Sequence, residues 1–469
     1  MSPHLRAVVI HGHFYQPPRD DPWLHRILPE PSAAPFHDWN ERIERECYGP
    51  LVANHALGGI SFDFGSTLFE WLERHAPATY AGVLEADRVS AARLGGHGNA
   101  IAQPYHHIIL PLASRRDKVT EVRWAIADFQ RRFGRDPEGM WLPETAVDEE
   151  TLDVLAAEGI RFTVLAPHQV KEAPPGGRPV RYRTSGGRSI ALVIYDAGLA
   201  RSVAFGDALK NPDGWARELL SQDAHLVSLA TDGESYGHHR RHGDVTLARV
   251  IGTLASRTDV RLENFSAYLA REPATVDAKL VAPTSWSCEH GVERWRSDCG
   301  CKMAFDRPSQ QQWRAPLRDG LNWLADELHR IYERESAGIF EDPWAARDAY
   351  GDVVGRTDRD EAPLTVGPHD PGRLARARKL LEIERNALRM FTSCGWFFDD
   401  IAGLEAVQIL RYAARAIDLA GPEGPALEAG LLERLAAAES NEPGVGSGRE
   451  VFRDLVRGRA AGVSGDESR

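Results

Sequence analysis

Between residues 5 and about 300, short apolar runs alternate with longer stretches of helical period, and no other feature narrows the fold as much. The runs span 5–10, 59–64, 99–102, 139–142, 161–165, 190–195 and 225–230. Each is too short for a stable helix and gives way to a polar turn, which is how a buried strand reads. Between them, residues 118–133 place Val122, Ala125, Ile126 and Phe129 on one helical stripe. Asp148 has the chemistry of an N-cap for a helix running to about Glu158. Strands separated by helices pair in parallel, because a crossover must return the chain to the same sheet end. The class is therefore α/β, and seven such units suit a closed or slightly open (β/α) barrel.

From about Asp306 the strand signals stop. Leu374, Ala377, Leu381, Leu388 and Phe391 share one helical face, and Leu404, Val407, Ala414 and Ile417 share another. These patterns predict three parts: a catalytic barrel over 1–305, a helical extension over 306–438 that completes the active-site cleft, and a flexible tail over 439–469. The tail is expected from its Gly, Ser and charge content, and residues 358–370 read as a polar loop.

In a (β/α) barrel the chemistry sits on the loops that follow the strands. Three of the runs end on residues suited to it. The first leads into His11-Gly12-His13-Phe14-Tyr15-Gln16-Pro17-Pro18; residues two apart on an extended chain face the same side, so His11 and His13 can share one pocket. A second ends in Trp141-Leu142-Pro143-Glu144, and a third in Thr231-Asp232-Gly233-Glu234-Ser235-Tyr236-Gly237-His238-His239. Two acids delivered to one rim are what glycosidic cleavage requires: one attacks or stabilises, the other passes a proton. The same histidines with Asp63 or Asp232 would also make a zinc site, as in metal-dependent carbohydrate hydrolases of the α-mannosidase or polysaccharide deacetylase kind.

The net charge of -12 excludes a general nucleic-acid binder, which needs a basic face. No apolar run reaches the length of a membrane span, and the first residues do not follow the order of a secretory leader. Cys47, Cys288, Cys299, Cys301 and Cys394 form an odd set unlike a disulfide-stapled secreted domain, so a reducing cytoplasm is expected. Cys288-x-His290 and Cys299-x-Cys301 put four soft ligands within fourteen residues, outside the usual CxxC spacing; they fit a structural zinc site or a loop over the active site.

Five segments resemble glycoside hydrolase family 57, the retaining α-glucan-active enzymes. They are His11-Gly12-His13-Phe14-Tyr15-Gln16-Pro17, the stretch 98–107 (GNAIAQPYHH), Trp141-Leu142-Pro143-Glu144, the stretch 231–237 (TDGESYG) and the stretch 393–400 (SCGWFFDD). More narrowly, the chain is similar to a subgroup with an additional helical region of unassigned function. One departure is Ile101, at a place where much of the family has a glutamate. The resemblance implies an incomplete seven-stranded (β/α)7 barrel followed by a C-terminal helical bundle. It implies Glu144 as nucleophile and Asp232 as general acid/base of a double displacement, with their carboxyls roughly 5–5.5 Å apart.

His11 and His13 are expected to bind the sugar and hold Glu144 in place. Gln16, Asn99, Trp141, Glu234, His238, Trp286 and Trp396 are the remaining substrate-binding candidates; Glu234 can instead order the Gly233 turn, and Trp141 and Trp396 can instead be packing. No cofactor and no catalytic metal are expected. The partner is a carbohydrate, an α-1,4-glucan or oligosaccharide, with amylase, 4-α-glucanotransferase and branching chemistry all open. The competing classes are the metal-dependent hydrolase and an inactive glycan-binding protein.

Overall fold

The computed structural model describes residues 6–306 and 308–458. Leu5 and residues 459–469 of the expected tail lie outside the described residues. Among the described residues seven strands are formed: β1 (Arg6–Phe14), β2 (Ser61–Phe64), β3 (Phe162–Leu165), β4 (Val180–Arg183), β5 (Ser189–Ile194), β6 (Leu226–Asp232) and β7 (Val260–Leu262). The protein is an α/β fold in which β1 is the central strand. It pairs in parallel with β6 along one edge, and with β2 and β7 along the other.

Segments 99–102 and 139–142 join the same system through single parallel bridges, Phe62 with Ala100 and Ala102 with Met140, and Gly139 then bridges to Phe162 of β3. β3 pairs with β5 in parallel, and the amide of Asp196 donates to the Ser228 carbonyl of β6 at 2.8 Å. Backbone bonds therefore run through β1, β2, 99–102, 139–142, β3, β5 and β6 and return to β1. These are the seven apolar runs of the sequence. The two runs with only single bridges are near-continuous buried chain, kept extended by neighbours on both sides. β4 adds an antiparallel flap on β5 that the apolar pattern did not signal, since only Val180 and Tyr182 of it are buried.

The centre is packed with Ala7 and Val9 of β1, Trp141 of segment 139–142, Val164 of β3, Val193 of β5 and Ala230 of β6, all buried in one cluster. Helix Glu149–Ala157 starts where expected, with the Asp148 carboxylate accepting from the Thr151 amide and satisfying one orphan donor.

The chain divides into two compact units: 1–18, 28–105 and 125–286 form the first, and 19–27, 106–124 and 287–469 the second. The first holds all seven strands. The expected boundary at 305 ignores the two short excursions, because sequence patterns register local periodicity and not which distant segments share a core.

The second unit is helical among its described residues. Helices Arg314–Glu335, Pro371–Arg389, Leu404–Ala420 and Gly424–Leu435 bury Leu317, Leu321, Leu380, Leu381, Leu410 and Leu431. The stretch expected as a flexible tail is helical over Gly448–Val451 and Phe452–Arg457 and buries Val451, Phe452 and Val456. Its start carries a capping box, with Ser447 and Glu450 satisfying each other's ends of the first turn. That S-x-x-E signal was present in the sequence and outweighs the surrounding Gly and Ser. No helix among the described residues is long and apolar enough to cross a membrane.

Candidate active site

The register of three strands builds the site. His13 of β1 lies opposite Asp63 of β2 and opposite Asp232 of β6. Parallel partners in register send their side chains to the same face, so one row carries Asp63, His13 and Asp232. Two residues earlier, His11 lies opposite Ser61 and Ala230 and forms the row beneath.

Asp63 is fully buried and accepts from both histidines: His11 Nε2 lies 2.9 Å from Oδ1 and His13 Nδ1 lies 2.8 Å from Oδ2. His11 Nδ1 also contacts the Ser61 hydroxyl at 3.0 Å, so both of its ring nitrogens are engaged by the protein. His11 therefore has no nitrogen left for a sugar, and acts as a support for Asp63. A zinc site on His11, His13 and Asp63 would need the atoms that these residues direct at one another.

The two imidazoles have opposite electrostatics. Burial holds His11 below its ordinary pKa in spite of Asp63. Burial would lower His13 as well, but the charge and hydrogen bond of Asp63, helped by Asp232 and Glu234, raise it to about 9. His13 is thus a cation at neutral pH. Trp141 stacks along both rings at 5.0 Å, with interplanar angles of 21° and 19°. It is fully buried, so it forms the floor under the histidines and offers no face to a sugar.

Glu144 follows segment 139–142 on a strained turn. Its φ is 58° and that of Thr145 is 48°, both in the left-handed region that L residues avoid. The turn is over-determined: the Thr145 amide donates to Leu142, the Gln169 amide side chain donates to the Thr145 carbonyl, and the Trp286 amide donates to the Glu144 carbonyl at 2.9 Å. Strain held this way, at a cost of about 1–3 kcal/mol per residue, is typical of positions that aim a functional group. The Trp286 indole completes the clamp, donating from Nε1 to Glu144 Oε2 at 3.0 Å. Trp286 also packs edge-on to Trp141 at 5.2 Å.

Asp232 ends β6 and its side chain faces solvent, yet the surrounding protein crowds it and displaces much of its hydration. That loss of hydration raises its pKa to about 6; His13 pulls against the shift, while the charges of Glu144 and Asp63 push with it. Glu234 is buried and accepts from the Tyr15 amide at 3.2 Å and the Tyr48 hydroxyl at 2.5 Å. Burial, opposed by Tyr48 and reinforced by Asp232, lifts it to about 7. Between the two acids Gly233 is obligatory: a Cβ there would meet the Phe14 ring at 2.2 Å.

Among the other candidates, Gln16 hydrogen-bonds Tyr48, which places it beside Glu234. His238 pairs through Nδ1 with Glu46 and packs edge-on to Trp39. Two candidates are not brought to the site. Asn99 begins its segment, at the opposite end of the strand from the acids, and its buried side chain donates to the Leu57 carbonyl and accepts from Asn264. Its amide ties the base of the fold together. Trp396 is fully buried within the helical unit, with the Arg318 guanidinium 3.9 Å above its ring and its indole N–H directed to the Arg314 carbonyl. No face of that ring is open for stacking, so its role is packing. Tyr48 was missed in the sequence, where it sits in a helical stretch with no local mark of its partner.

Two family models match separate stretches of the chain. The model for glycosyl hydrolase family 57 matches residues 61–275, and a domain of unknown function (DUF3536) matches residues 310–464. The chain is 22% identical over 268 residues to an α-amylase of Pyrococcus horikoshii, covering 55% of this chain and 39% of that protein. It is 22% identical over 221 residues to a 4-α-glucanotransferase of Thermococcus litoralis, covering 45% and 32%. The chain thus spans under half the length of these curated relatives. Among solved structures, an exo-type maltose-forming amylase from Pyrococcus sp. ST04 superposes with a TM-score of 0.74 at 14% identity, covering 98% of this chain and 94% of that one. A branching enzyme of Thermococcus kodakaraensis superposes with a TM-score of 0.58 at 13% identity, covering 93% and 92%.

Proposed function

We propose that this chain, whose residues 61–275 belong to glycosyl hydrolase family 57, is a retaining α-glycosidase or α-glucanotransferase acting on α-1,4-glucans. Its strands make up an incomplete (β/α)7 barrel, and its later helices a C-terminal bundle. The observation that carries the reading is that two carboxyls from different strand ends act on one another. Asp232 is lifted to about 6, partly by the charge of Glu144, while Glu144 accepts a hydrogen bond from the Trp286 indole on a turn held by three further hydrogen bonds. A carboxyl raised toward neutrality is suited to pass a proton, and one fixed by a hydrogen bond on a held turn is suited to attack.

Glu144, ionised, attacks the anomeric carbon, and the bond to the leaving oxygen breaks as Asp232 donates its proton to that oxygen. The glycosyl group is then held on Glu144 as an ester. Asp232, now ionised, takes a proton from water or from a sugar hydroxyl, which attacks the anomeric carbon and releases Glu144. His13, a cation beside Asp232, stabilises the carboxylate that forms when Asp232 gives up its proton. Asp63 holds that cation in place, and His11 holds Asp63. The acceptor, water or sugar, separates hydrolysis from transfer and from branching.

Product analysis with maltoheptaose and amylose tests this, alongside the Glu144→Gln variant. Longer and shorter oligosaccharides, or new branches, formed by the natural chain and absent from the variant are expected. No turnover on either glucan would remove the α-glucan assignment.

A further inference from the structure

We propose that Cys288, His290, Cys299 and Cys301 hold one zinc ion in a closed, structural site. One donor atom from each of the four lies within 4.8 Å of all the others, and this is the one such cluster of metal-ligating side chains found among the described residues. Three of the six edges have the lengths a tetrahedral site requires: Cys288 Sγ to Cys299 Sγ is 3.9 Å, Cys288 Sγ to Cys301 Sγ is 3.8 Å, and Cys301 Sγ to His290 Nδ1 is 3.7 Å. Thiolates at about 2.3 Å from a tetrahedral centre are ~3.8 Å apart, and a thiolate and an imidazole nitrogen about 3.6 Å apart. A disulfide would bring two of the sulfurs to about 2.05 Å and leave the third thiol and the imidazole without a partner of their own kind.

The backbone is shaped to converge these groups. The Gly291 amide donates to the Cys288 carbonyl at 3.2 Å, closing a turn around His290. Gly300, between Cys299 and Cys301, has a φ of 81°, a conformation that lets two thiols so close in sequence turn to one point. Beyond the site, the Asp399 carboxylate accepts from the Met303 and Ala304 amides at 2.9 and 2.6 Å and fixes the outgoing chain. Residues 287–306 contain little regular structure beyond the turn Glu293–Trp295, so few ladder hydrogen bonds hold this stretch. A metal cross-link supplies the order that secondary structure does not.

Charge and donor type narrow the ion. Three thiolates and a neutral imidazole on a divalent ion leave one negative charge. The fully buried Arg314 guanidinium, whose Nη1 donates to the Cys301 carbonyl at 2.9 Å, supplies the opposite charge. Thiolates select zinc and related soft ions over magnesium or calcium, which take oxygen ligands. Four protein ligands fill the tetrahedron and leave no position for water or substrate, so the ion holds structure and takes no part in turnover.

The full chain, purified without chelator, should contain about one zinc ion per chain by elemental analysis. Titration with a mercurial should release that zinc as three thiols react. Exchange for cobalt should give thiolate-to-cobalt charge transfer and the strong visible bands of a tetrahedral centre. Cys288→Ser and Cys301→Ser should lose the metal and melt lower, whereas Cys394→Ser, outside the cluster, should keep it. If the serine variants do not fold, the cobalt spectrum and the mercurial titration of the natural chain still decide. A chain that stays substoichiometric after supply of zinc, stoichiometric iron in its place, or a disulfide among these cysteines by mass spectrometry would overturn the proposal.

Discussion

Asp63 and His13, fifty residues apart, meet at 2.8 Å because β1 and β2 pair in parallel with His13 opposite Asp63. The contact turns a histidine that burial alone would neutralise into a cation with a pKa of about 9. It also commits Nδ1 of His13 to Asp63.

That pair should make stability depend on pH. A histidine whose pKa rises on folding contributes fully below its unfolded value, near 6.5, and the contribution is lost as pH rises through about 9. Urea unfolding between these values should show a decline on the order of 1–3 kcal/mol, coming from a group that is nearly buried. Asp63→Asn should be less stable at pH 6.5 and flatter across the same range. Parallel curves for the two proteins would show that His13 is not held as a cation by Asp63.

Asp232 must be protonated to donate, so kcat/KM should fall on the alkaline side with an apparent pKa near 6. Carboxyl carbon NMR of Asp232 in Glu144→Gln should titrate at lower pH than in the natural chain, since the variant removes a negative charge that raises it. An unchanged titration would mean the two acids are not electrostatically coupled. Asp232→Asn should lower turnover by about 10²–10⁴-fold.

Glu144→Ala should reduce activity by roughly 10⁴-fold or more, the scale seen when a nucleophile is removed. With an α-glycosyl fluoride and azide, the variant should regain turnover and yield a β-glycosyl azide, because azide enters from the face that Glu144 leaves. An α-configured azide product would assign the nucleophile elsewhere.

The left-handed backbone at Glu144 separates two otherwise similar variants. Glu144→Gly and Glu144→Ala both lose the bond from Trp286, but only glycine adopts a φ of 58° without steric cost. Glu144→Gly should therefore be the more stable by about 1 kcal/mol in thermal or urea unfolding, net of the greater chain entropy of glycine. Equal stabilities would mean that the turn relaxes when the carboxylate is gone.

Trp286→Phe keeps a ring against Trp141 and deletes the indole donor to Glu144. A hydrogen bond to a charged group is worth about 1.5–3 kcal/mol, so kcat should drop by roughly ten- to a hundred-fold, with KM changing less. A rise confined to KM would recast Trp286 as a binding residue alone.

Much of the site was legible because its residues occupy strand ends, and strand ends are marked by local pattern. His11, His13, Glu144 and Asp232 each follow an apolar run, and each run is an extended segment of the structure. The failures came where a partner is remote. Asn99 became a candidate through its family-like phrase, but its side chain bonds to Leu57 and Asn264. Trp396 lies in a family phrase, yet Arg318 and Arg314 enclose it. Glu234 acquired its partner from Tyr48, 186 residues earlier.

The sequence by itself determined the seven extended segments around β1, the longer helices, and that acids and histidines stand where strands end, because periodicity and capping act over a few residues; β4, β7 and the helices of 448–457 escaped it. Only the tertiary structure decided that Asp63, His13 and Asp232 share one row, that His11 spends both nitrogens on the protein, and that two units interleave along the chain. Register is set by many weak pairings acting together across the fold, and a shift of one residue would send every side chain to the other face. No short window of sequence contains that information.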